Sequence, residues 1–437
     1  MTHRPIIAVT LAMGLLAACA PREVILPGER LDLRDGMAGA AIADSNSSRP
    51  IGLPAPQVNA EWTHRGGGPD HQISHPALGP ALTQIFAVNI GEGDSRRARI
   101  TADPVVAGGR IYTLDARAGV AATSLTGQVL WTRDVTPETD GRNDASGGGI
   151  AVAGNKVFVT TGFGRLSALD AATGAVIWVQ DLDAPGGSAP TVMNGQVYVV
   201  ARDSRAWAVD AETGLIAWQL SGTPSITAFA GGAGAAVTPD IAIFPFPSGE
   251  VLAAFPLGGL RRWSSVIAGA RIGQAAGAAS TDIGGDPVID GNTVYVGNVS
   301  GRVVAMDIAS GDRIWTAVEG AVSPVFPAGD SVFLVNDINE LVRLDAASGA
   351  PVWRVALPGL IDVRPRRQNA VHAQYGPILA GGRLLVASSD GAIRQFDPAS
   401  GAHLGDIALP GGAASHPIVA GQTLYIVTKR GQLVAFR

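Results

Sequence analysis

Residues 169–178 read Leu-Asp-Ala-Ala-Thr-Gly-Ala-Val-Ile-Trp, and close copies of this string follow at 209–218 and 306–315. In each copy an apolar strand runs into an aspartate, whose side chain can accept hydrogen bonds from the amides of a turn. The glycine supplies the positive φ that such a turn needs, and the returning strand carries the tryptophan. The string therefore predicts a β-hairpin that is repeated along the chain.

Six tryptophans share this frame, because each has a glycine four residues before it. They are Trp131, Trp178, Trp218, Trp263, Trp315 and Trp353. Two more short strands precede each hairpin, as in residues 285–304. Four short antiparallel strands over about 40–50 residues are the size of a propeller blade. We expect each of these tryptophans to wedge against the neighbouring blade, which is a structural role rather than ligand stacking.

The end of the chain indicates how the ring closes. Seven units lie at 103–133, 145–180, 188–220, 232–265, 285–317, 323–355 and 375–407. The seventh has Gly405 in place of tryptophan, and an eighth begins at Ser415 and stops after three strands. The segment around Trp62 resembles the missing strand, and joining the two termini in one blade would remove open sheet edges. We therefore predict an all-β, eight-bladed β-propeller of four-stranded antiparallel blades, closed by N- and C-terminal strands that share one blade.

The first residues are typical of an export signal. Arg4 precedes the apolar run Ile6–Ala18, which is too short to span a bilayer. The string Leu-Ala-Ala-Cys that ends at Cys19 resembles a bacterial lipobox, which implies that Cys19 carries palmitate-type acyl chains. The alternative is an ordinary signal peptide with an incidental cysteine. By the sorting rule for such lipoproteins, Ala20 in place of aspartate implies the periplasmic face of the outer membrane.

These features divide the chain into three parts. Residues 1–18 are predicted to be the lipoprotein signal peptide. Residues 19–56 are predicted to be the lipidated cysteine and a flexible tether, because prolines are frequent there and no strand or helix period persists. Residues 57–437 are predicted to form the propeller.

Composition excludes several functions. The chain has 32 basic and 37 acidic residues and a formal net charge of −5, whereas a nucleic-acid-binding protein needs a basic stripe. The 46% hydrophobic content can supply a large core, which excludes disorder for most of the chain. A single cysteine permits neither an intrachain disulfide nor a cysteine-based zinc site.

The repeat Ala-Leu-Asp-Ala-x-Thr-Gly-x-x-x-Trp resembles the pyrroloquinoline-quinone-type propeller repeat over residues 103–437. With the lipobox and eight units, the chain resembles the BamB family, lipoproteins of the outer-membrane β-barrel assembly machinery. The resemblance implies a non-catalytic subunit without a cofactor. It would be a monomer within a hetero-complex, with the periplasmic domains of BamA and other subunits of the assembly machinery as partners. It would dock to BamA and support folding and insertion of outer-membrane proteins.

The resemblance also implies contact residues. In that family, interblade loops near the middle of the chain contact BamA, and the matching stretch here holds Ile226, Ala228 and Phe229. The family has two leucines around a serine and then an arginine, so that Phe229 stands in the arginine's place. Of a second family position, an aspartate pair, only Asp282 is retained. The alternative for Asp282 is a solvated loop carboxylate.

Loop lengths point to the same region. The loops at 221–235 and 264–284 are longer than a turn needs, and long loops on a rigid scaffold often bind partners. We expect their large apolar residues, among them Ile267 and Ile272, to be exposed. A third loop, 356–374, either contacts an acidic partner or is a solvated basic loop. It carries Arg364, Arg366 and Arg367.

Two other classes of protein are compatible with a propeller of this kind. Quinoprotein dehydrogenases resemble this chain in their repeat, but they commonly use an adjacent cysteine pair, calcium and a catalytic aspartate. Here Cys19 belongs to the anchor and the repeat aspartates are turn residues, so we predict that the chain is not an enzyme. A propeller that binds a small ligand or an envelope polymer such as peptidoglycan stays open.

One group of histidines has spacing that could suit a metal site. His64, His71 and His75 lie close together with Asp70, and metal ligands can be spaced in this way. The stretch is rich in glycine and follows the presumed closing strand. A polar loop is therefore the preferred interpretation.

Overall fold

The computed structural model describes residues 46–437 except for 185, 226–230, 270, 272–279, 363 and 365–369. These residues form 32 strands in eight four-stranded sheets, which confirms the predicted eight-bladed, all-β propeller. In the described part of the chain, no helix has the length and hydropathy needed to cross a membrane. The signal peptide, Cys19 and most of the tether lie outside the described residues.

The strands follow the sequence repeat. The closing blade begins with β1 (Gln84–Asn89). Blade one contains β2 (Val105–Ala107), β3 (Arg110–Leu114), β4 (Gly119–Ser124) and β5 (Val129–Asp134). Blade two contains β6 (Gly148–Ala153), β7 (Lys156–Thr161), β8 (Arg165–Asp170) and β9 (Val176–Asp181). Blade three contains β10 (Thr191–Met193), β11 (Gln196–Val200), β12 (Arg205–Asp210) and β13 (Ile216–Ser221). Blade four contains β14 (Ala236–Val237), β15 (Ala242–Pro245), β16 (Glu250–Ala254) and β17 (Arg261–Val266).

The second half of the ring continues the pattern. Blade five contains β18 (Val288–Asp290), β19 (Thr293–Gly297), β20 (Val303–Asp307) and β21 (Arg313–Ala317). Blade six contains β22 (Phe326–Ala328), β23 (Ser331–Val335), β24 (Glu340–Asp345) and β25 (Pro351–Ala356). Blade seven contains β26 (Gln374–Ala380), β27 (Arg383–Ser388), β28 (Ala392–Phe396) and β29 (His403–Ala408). The closing blade ends with β30 (Ile418–Ala420), β31 (Thr423–Val427) and β32 (Gln432–Phe436).

Each tryptophan of the repeat covers the hairpin glycine of the next blade. A Cβ atom added to Gly174 would lie 2.5 Å from the ring of Trp131, so only glycine allows this approach. The Trp131 indole Nε1 also donates a hydrogen bond to the carbonyl of Ala171 at 3.2 Å. The same bond recurs from Trp178 to Ala211, Trp218 to Pro256, Trp263 to Ile308, Trp315 to Ala346 and Trp353 to Pro398. These contacts place the six tryptophans between blades, as the sequence predicted.

The closing blade joins both ends of the propeller, but not through Trp62. Strand β1 pairs with β32, with Gln84 opposite Phe436. Trp62 is buried elsewhere, and its backbone N–H and C=O each bond to Val106 of β2 at 2.8 Å. The expectation that Trp62 lies in the closing strand is therefore wrong. Phe86 of β1 has the tryptophan's role instead, since its ring covers Gly127 of blade one.

The closure of the ring also explains why residue 405 is a glycine where the other units have a tryptophan. The blade that follows Gly405 is the closing blade, in which the start of β1 and the end of β32 stand where a hairpin turn would be. There the backbones of Thr83 and Arg437 exchange two hydrogen bonds of 2.9 Å. Because this position has no hairpin glycine to cover, an aromatic residue at 405 would have no such docking site.

Residues 57–77, here named the plug, run through the centre of the ring. Their backbone groups bond to the inner strands or inner turns of six blades, and the His64 side chain bonds to a seventh. These pairs are Asn59–Gly421, Trp62–Val106, Thr63–Val152, Pro69–Val237, Asp70–Ile289 and Pro76–Gly381, with the His64 side chain bonded to Val192. The inner strands have free backbone groups towards the axis, and the plug satisfies many of them.

The three plug histidines lie in a loop of turns and irregular backbone, and all three are buried. The His71 and His75 Nδ1 atoms lie 2.9 and 2.8 Å from the carbonyls of Pro287 and Pro54. The His64 Nε2 atom accepts the N–H of Val192 at 3.0 Å. Burial, with the nearby His71, lowers the pKa of His64 to about 3, so this imidazole is neutral. These histidines hold the plug in place.

The end of the predicted tether is also part of the propeller. The Ser47 N–H donates to the carbonyl of Val352 at 3.1 Å. The buried Arg343 side chain donates to the carbonyl of Arg49 at 2.6 Å, and Arg49 pairs with Asp345 at 2.8 Å. Residues 46–56 thus pack on blades six and seven, and the folded body begins before the predicted boundary at residue 57.

Candidate docking surface and axial funnel

All loops that connect one blade to the next lie at the same end of the ring. The inner strand of every blade starts at this end, and the outer strand ends there, because the four strands of a blade alternate in direction. We call it the loop end. The three long loops singled out in the sequence, 221–235, 264–284 and 356–374, all belong to it.

The structure tests only some of the predicted docking residues. Ile226, Ala228 and Phe229 lie outside the described residues, as do Ile272, Arg366 and Arg367. Ile267 is fully buried, and its N–H donates to the carbonyl of Gly249 at 2.8 Å. The expectation that Ile267 is exposed is therefore wrong, because this residue follows directly on β17 and packs into the core between blades four and five.

Asp282 is 3% exposed, so it is not a solvated loop carboxylate. Its carbonyl accepts the N–H of Val299 at 3.0 Å, which fixes it against blade five. Burial lowers the pKa of Arg202, while the charge of Asp282 opposes that effect. Asp282 thus balances a cation between blades and has little surface to offer to a partner.

A buried carboxylate anchors the 264–284 loop. The Glu319 side chain is 1% exposed. Its carboxylate accepts hydrogen bonds from Arg354 Nη2 at 2.6 Å and from Arg271 Nη2 at 2.8 Å. Arg271 also reaches Asp337 at 3.1 Å. Burial alone would lower the pKa of Arg271. The negative charges of Glu319 and Asp337 have the larger effect together, so the pKa is raised. This network fastens the loop to blade six, and no sequence motif indicated it.

A second polar cluster lies on the axis. The buried Arg65 of the plug has its Nε 3.4 Å from Asp103 and its Nη1 3.4 Å from Asp286. Asp103 begins blade one and Asp286 begins blade five, on opposite sides of the ring. The His416 Nδ1 lies 3.0 Å from Asp103, and its Nε2 lies 2.9 Å from the Ser323 hydroxyl. Arg65 therefore ties the plug to two facing blades.

A short motif in the sequence could have located this cluster. Four of its members directly precede a proline and an apolar residue that leads into an inner strand. They are Asp103, Asp286, Ser323 and His416. A polar residue at this place in several blades indicates side chains that converge at the axis. Burial raises the pKa of Asp103, but His416 and Arg65 outweigh it and lower the pKa, so this carboxylate is ionised.

Above this cluster a funnel of about 650 Å³ opens at the loop end. Its walls carry charges of both signs and several polar side chains. They include Asp94, Arg99, Asn336, Gln374, Tyr375 and Lys429. Within the described ranges, no three His, Cys, Asp or Glu side chains are arranged to hold a metal ion. The plug and Arg65 form the floor of the funnel.

The sequence of the repeat matches a known family. The profile described as outer membrane protein assembly factor BamB matches residues 109–355 and 340–437. The chain belongs to the BamB family. The repeat strings and the tryptophan–glycine contacts between blades fall within the matched residues.

Two curated BamB proteins illustrate the similarity. The BamB of Alteromonas naphthalenivorans is 34% identical over 259 residues, which are 56% of this chain and 61% of that protein. The BamB of Yersinia pestis is 24% identical over 364 residues, which are 81% of this chain and 88% of that protein. The chain thus matches about three fifths of the first relative's length and most of the second's.

Solved structures share the fold. The crystal structure of BamB from Moraxella catarrhalis superposes with a TM-score of 0.67 at 17% identity, over 82% of this chain and all of that one. The quinohemoprotein alcohol dehydrogenase of Comamonas testosteroni gives 0.62 at 16% identity, over 86% of this chain and 80% of that one. At these identities the likeness concerns the fold alone, so BamB membership rests on the sequence match.

Proposed function

We propose that this protein is a non-catalytic scaffold lipoprotein of the outer-membrane β-barrel assembly machinery. It docks to the periplasmic domains of BamA and supports the folding and insertion of outer-membrane proteins. The observation that carries the proposal is the BamB family match over most of the propeller. Its location is the periplasmic face of the outer membrane, with Cys19 as the lipid anchor.

The structure suits a rigid docking body. Blades are interlocked by aromatic rings on hairpin glycines, and the plug bonds to seven of them. At the loop end, Arg271 fixes one long loop to blade six through Glu319. Ile226, Ala228 and Phe229 are the apolar residues that we propose to contact BamA. The lipid anchor raises the effective concentration of this surface near a membrane-bound partner.

Two features favour a scaffold over a quinoprotein dehydrogenase. The repeat aspartates are occupied by their own turns: Asp170 Oδ1 accepts the N–H groups of Ala172 and Thr173 at 3.1 and 2.8 Å. The centre of the ring is occupied by the plug, whose Arg65 is already paired with Asp103 and Asp286. The turn aspartates, Asp103 and Asp286 are therefore all engaged in structural contacts.

The test is copurification of BamA with the tagged, full-length protein from membrane extracts. In the double variant Ile226→Glu/Phe229→Glu, we expect BamA recovery to fall by about tenfold, since charges would have to be buried in an apolar contact. The matched control is Leu404→Glu, an exposed apolar residue on the outer strand of blade seven. Unchanged circular dichroism and melting temperature establish that the fold is intact. Equal recovery of BamA with all three proteins would overturn the proposed docking surface.

A further inference from the structure

The blade-six side of the axial funnel carries a carboxylate oxygen without a hydrogen-bond donor. Asp337 lines the funnel, and its side chain is 2% exposed. Its Oδ1 accepts hydrogen bonds from the N–H of Gly320 at 2.9 Å and from Arg271 Nη2 at 3.1 Å. Its Oδ2 has no partner among the described residues. Because a buried polar atom without a partner is unfavourable, this oxygen indicates a place for a donor that a ligand supplies.

Gln374, the first residue of β26 in blade seven, provides a second acceptor. It is 4% exposed and also lines the funnel. Its Nε2 donates to the carbonyl of Pro358 at 2.9 Å, which fixes the orientation of the amide, because a carbonyl can only accept. Its Oε1 is then left without a partner in the described part of the chain. The Pro358 carbonyl also accepts from Asn339, two residues after Asp337, so the two acceptors belong to adjoining parts of the wall.

The charged cluster around Asp337 has one more negative than positive charge. It consists of three carboxylates and two guanidinium groups: Glu319, Asp337, Glu340, Arg271 and Arg354. The Asn336 side chain joins Glu340 to the cluster, since its Nδ2 donates to Glu319 and to Glu340 at 2.9 Å each. An ammonium group is both a hydrogen-bond donor and a cation. It would therefore satisfy the free oxygens and balance the charge.

Two blades further round the funnel, the wall is positively charged. Lys429 of the closing blade lines the funnel and is partly buried. Its Nζ donates to the carbonyl of Ser389 at 2.6 Å, and it forms no ion pair within the described ranges. Its own carbonyl accepts the N–H of Asp94 at 2.7 Å, in a segment that also holds the exposed Arg96 and Arg97. This side of the funnel therefore favours an anion.

The funnel also offers apolar contacts to a small molecule. Three aliphatic side chains line it and are 41–58% exposed: Val322, Ile361 and Val371. Its volume of about 650 Å³ lies within the usual range for small-molecule sites, about 300–1,000 Å³. The plug closes its floor, so that an occupant enters from the loop end. These features suit a small ligand with an apolar body and two charged ends.

We propose that the funnel binds a short peptide with free termini. The ammonium group of the peptide donates to Asp337 and Gln374, its carboxylate pairs with Lys429, and its side chains lie against Val322 and Val371. Blade seven separates Asp337 from Lys429, which favours a peptide of a few residues over a single amino acid. An uncharged polyol could use the free acceptors but gains nothing from Lys429. The proposal does not rest on docking to BamA.

The test is isothermal titration calorimetry of the purified full-length protein with the tripeptide Ala-Leu-Ala. We expect a Kd below about 1 mM. The N-acetylated and the C-terminally amidated tripeptides each lack one terminal charge and should bind at least about tenfold more weakly. Free leucine should also bind more weakly, since it cannot reach both ends of the site. No detectable binding of Ala-Leu-Ala at about 10 mM, or equal binding of the three tripeptides, would overturn the proposal.

Two variants assign the ends of the peptide. Lys429→Met should weaken binding of Ala-Leu-Ala by about tenfold but leave that of the amidated peptide within about twofold, because the amide has no carboxylate to lose. Asp337→Asn should have the same relation to the acetylated peptide. The matched control is Arg430→Met, which removes an exposed cation next to Lys429 that does not line the funnel.

Circular dichroism and melting temperature establish that each variant is folded. Lys429→Met keeps the test decisive if Asp337→Asn loosens the loop that Arg271 holds, because Lys429 has no part in that cluster. Two outcomes with folded Lys429→Met would contradict the assignment. One is a loss no larger than that of Arg430→Met, and the other is an equal loss for Ala-Leu-Ala and its amide.

Discussion

The ring of Trp178 lies directly over Gly214 of the next blade, so that a Cβ atom at Gly214 would stand 2.7 Å from the ring. Gly214 satisfies two structural requirements. The hairpin turn requires a φ of 75°, and the neighbouring blade requires the absence of a side chain. The turn that shapes one blade is therefore also the surface on which the preceding blade packs.

Replacing Gly214 by alanine tests this double role. We expect a loss of about 2–4 kcal/mol in the free energy of unfolding, from the left-handed backbone and from the clash with Trp178. Gly195→Ala is the matched control, because Gly195 has a φ of 76° but nothing within 4 Å of an added Cβ. It should cost only about 1 kcal/mol. Urea unfolding measures both losses, and equal losses would show that the ring contact contributes nothing.

Phe86 lies in the blade that closes the ring, so its truncation should weaken both β1 and β32. Phe86→Ala removes the ring that covers Gly127 and should destabilise the protein by about 2 kcal/mol, whereas Phe86→Trp should retain most of the stability. Hydrogen exchange should rise first in β1 and β32. The neighbouring Ile85→Ala, at a half-exposed position, serves as the control. If the amides of β32 exchange as slowly in Phe86→Ala as in the unaltered protein, Phe86 does not hold the closure.

The buried His64 makes stability depend on pH. Its pKa is lowered from 6.5 to about 3 in the folded protein, so the unfolded chain binds more protons between these values. This contribution is fully present above pH 6.5 and is lost as the pH falls towards 3, with a slope of up to about 1.4 kcal/mol per pH unit. In His64→Gln the fall of the urea midpoint between pH 7 and pH 5 should be smaller. An equal fall in His64→Gln and in the unaltered protein would show that His64 does not cause this pH dependence.

The predicted lipid anchor can be tested independently of docking. Replacing residues 1–19 by a cleaved signal peptide without cysteine removes the acylation site and preserves export. In Triton X-114 phase separation, the unaltered protein should enter the detergent phase and the variant the aqueous phase, because acyl chains partition into detergent micelles. Detection of the variant in the detergent phase would contradict the assignment of Cys19.

The burial of loop residues is the feature of this protein that its sequence predicts least well. Ile267 and Asp282 lie in loops of suitable length and composition for binding, but the structure buries both between blades. Nothing local distinguishes a loop residue that faces solvent from one that faces the adjacent blade. The same holds for Glu319, whose two arginine partners come from a different loop and a different blade.

The sequence by itself determined the number of blades and the contacts between most of them. A hairpin with its turn aspartate, glycine and tryptophan is a local structure, and its spacing repeats often enough to be counted. The Trp178–Gly214 contact follows from that repeat, since each blade presents the same two surfaces.

Only the tertiary structure decided which N-terminal segment closes the ring and which fills its centre. The strand around Phe86 and the segment around Trp62 are both short and each carries one large aromatic residue, and neither is marked by a local signal. Gln84 pairs with Phe436 because the last sheet has a free edge, and Trp62 pairs with Val106 because the inner strands have free groups at the axis. These partners become available only when the whole ring has formed, so the choice between the two segments is a property of the assembled propeller.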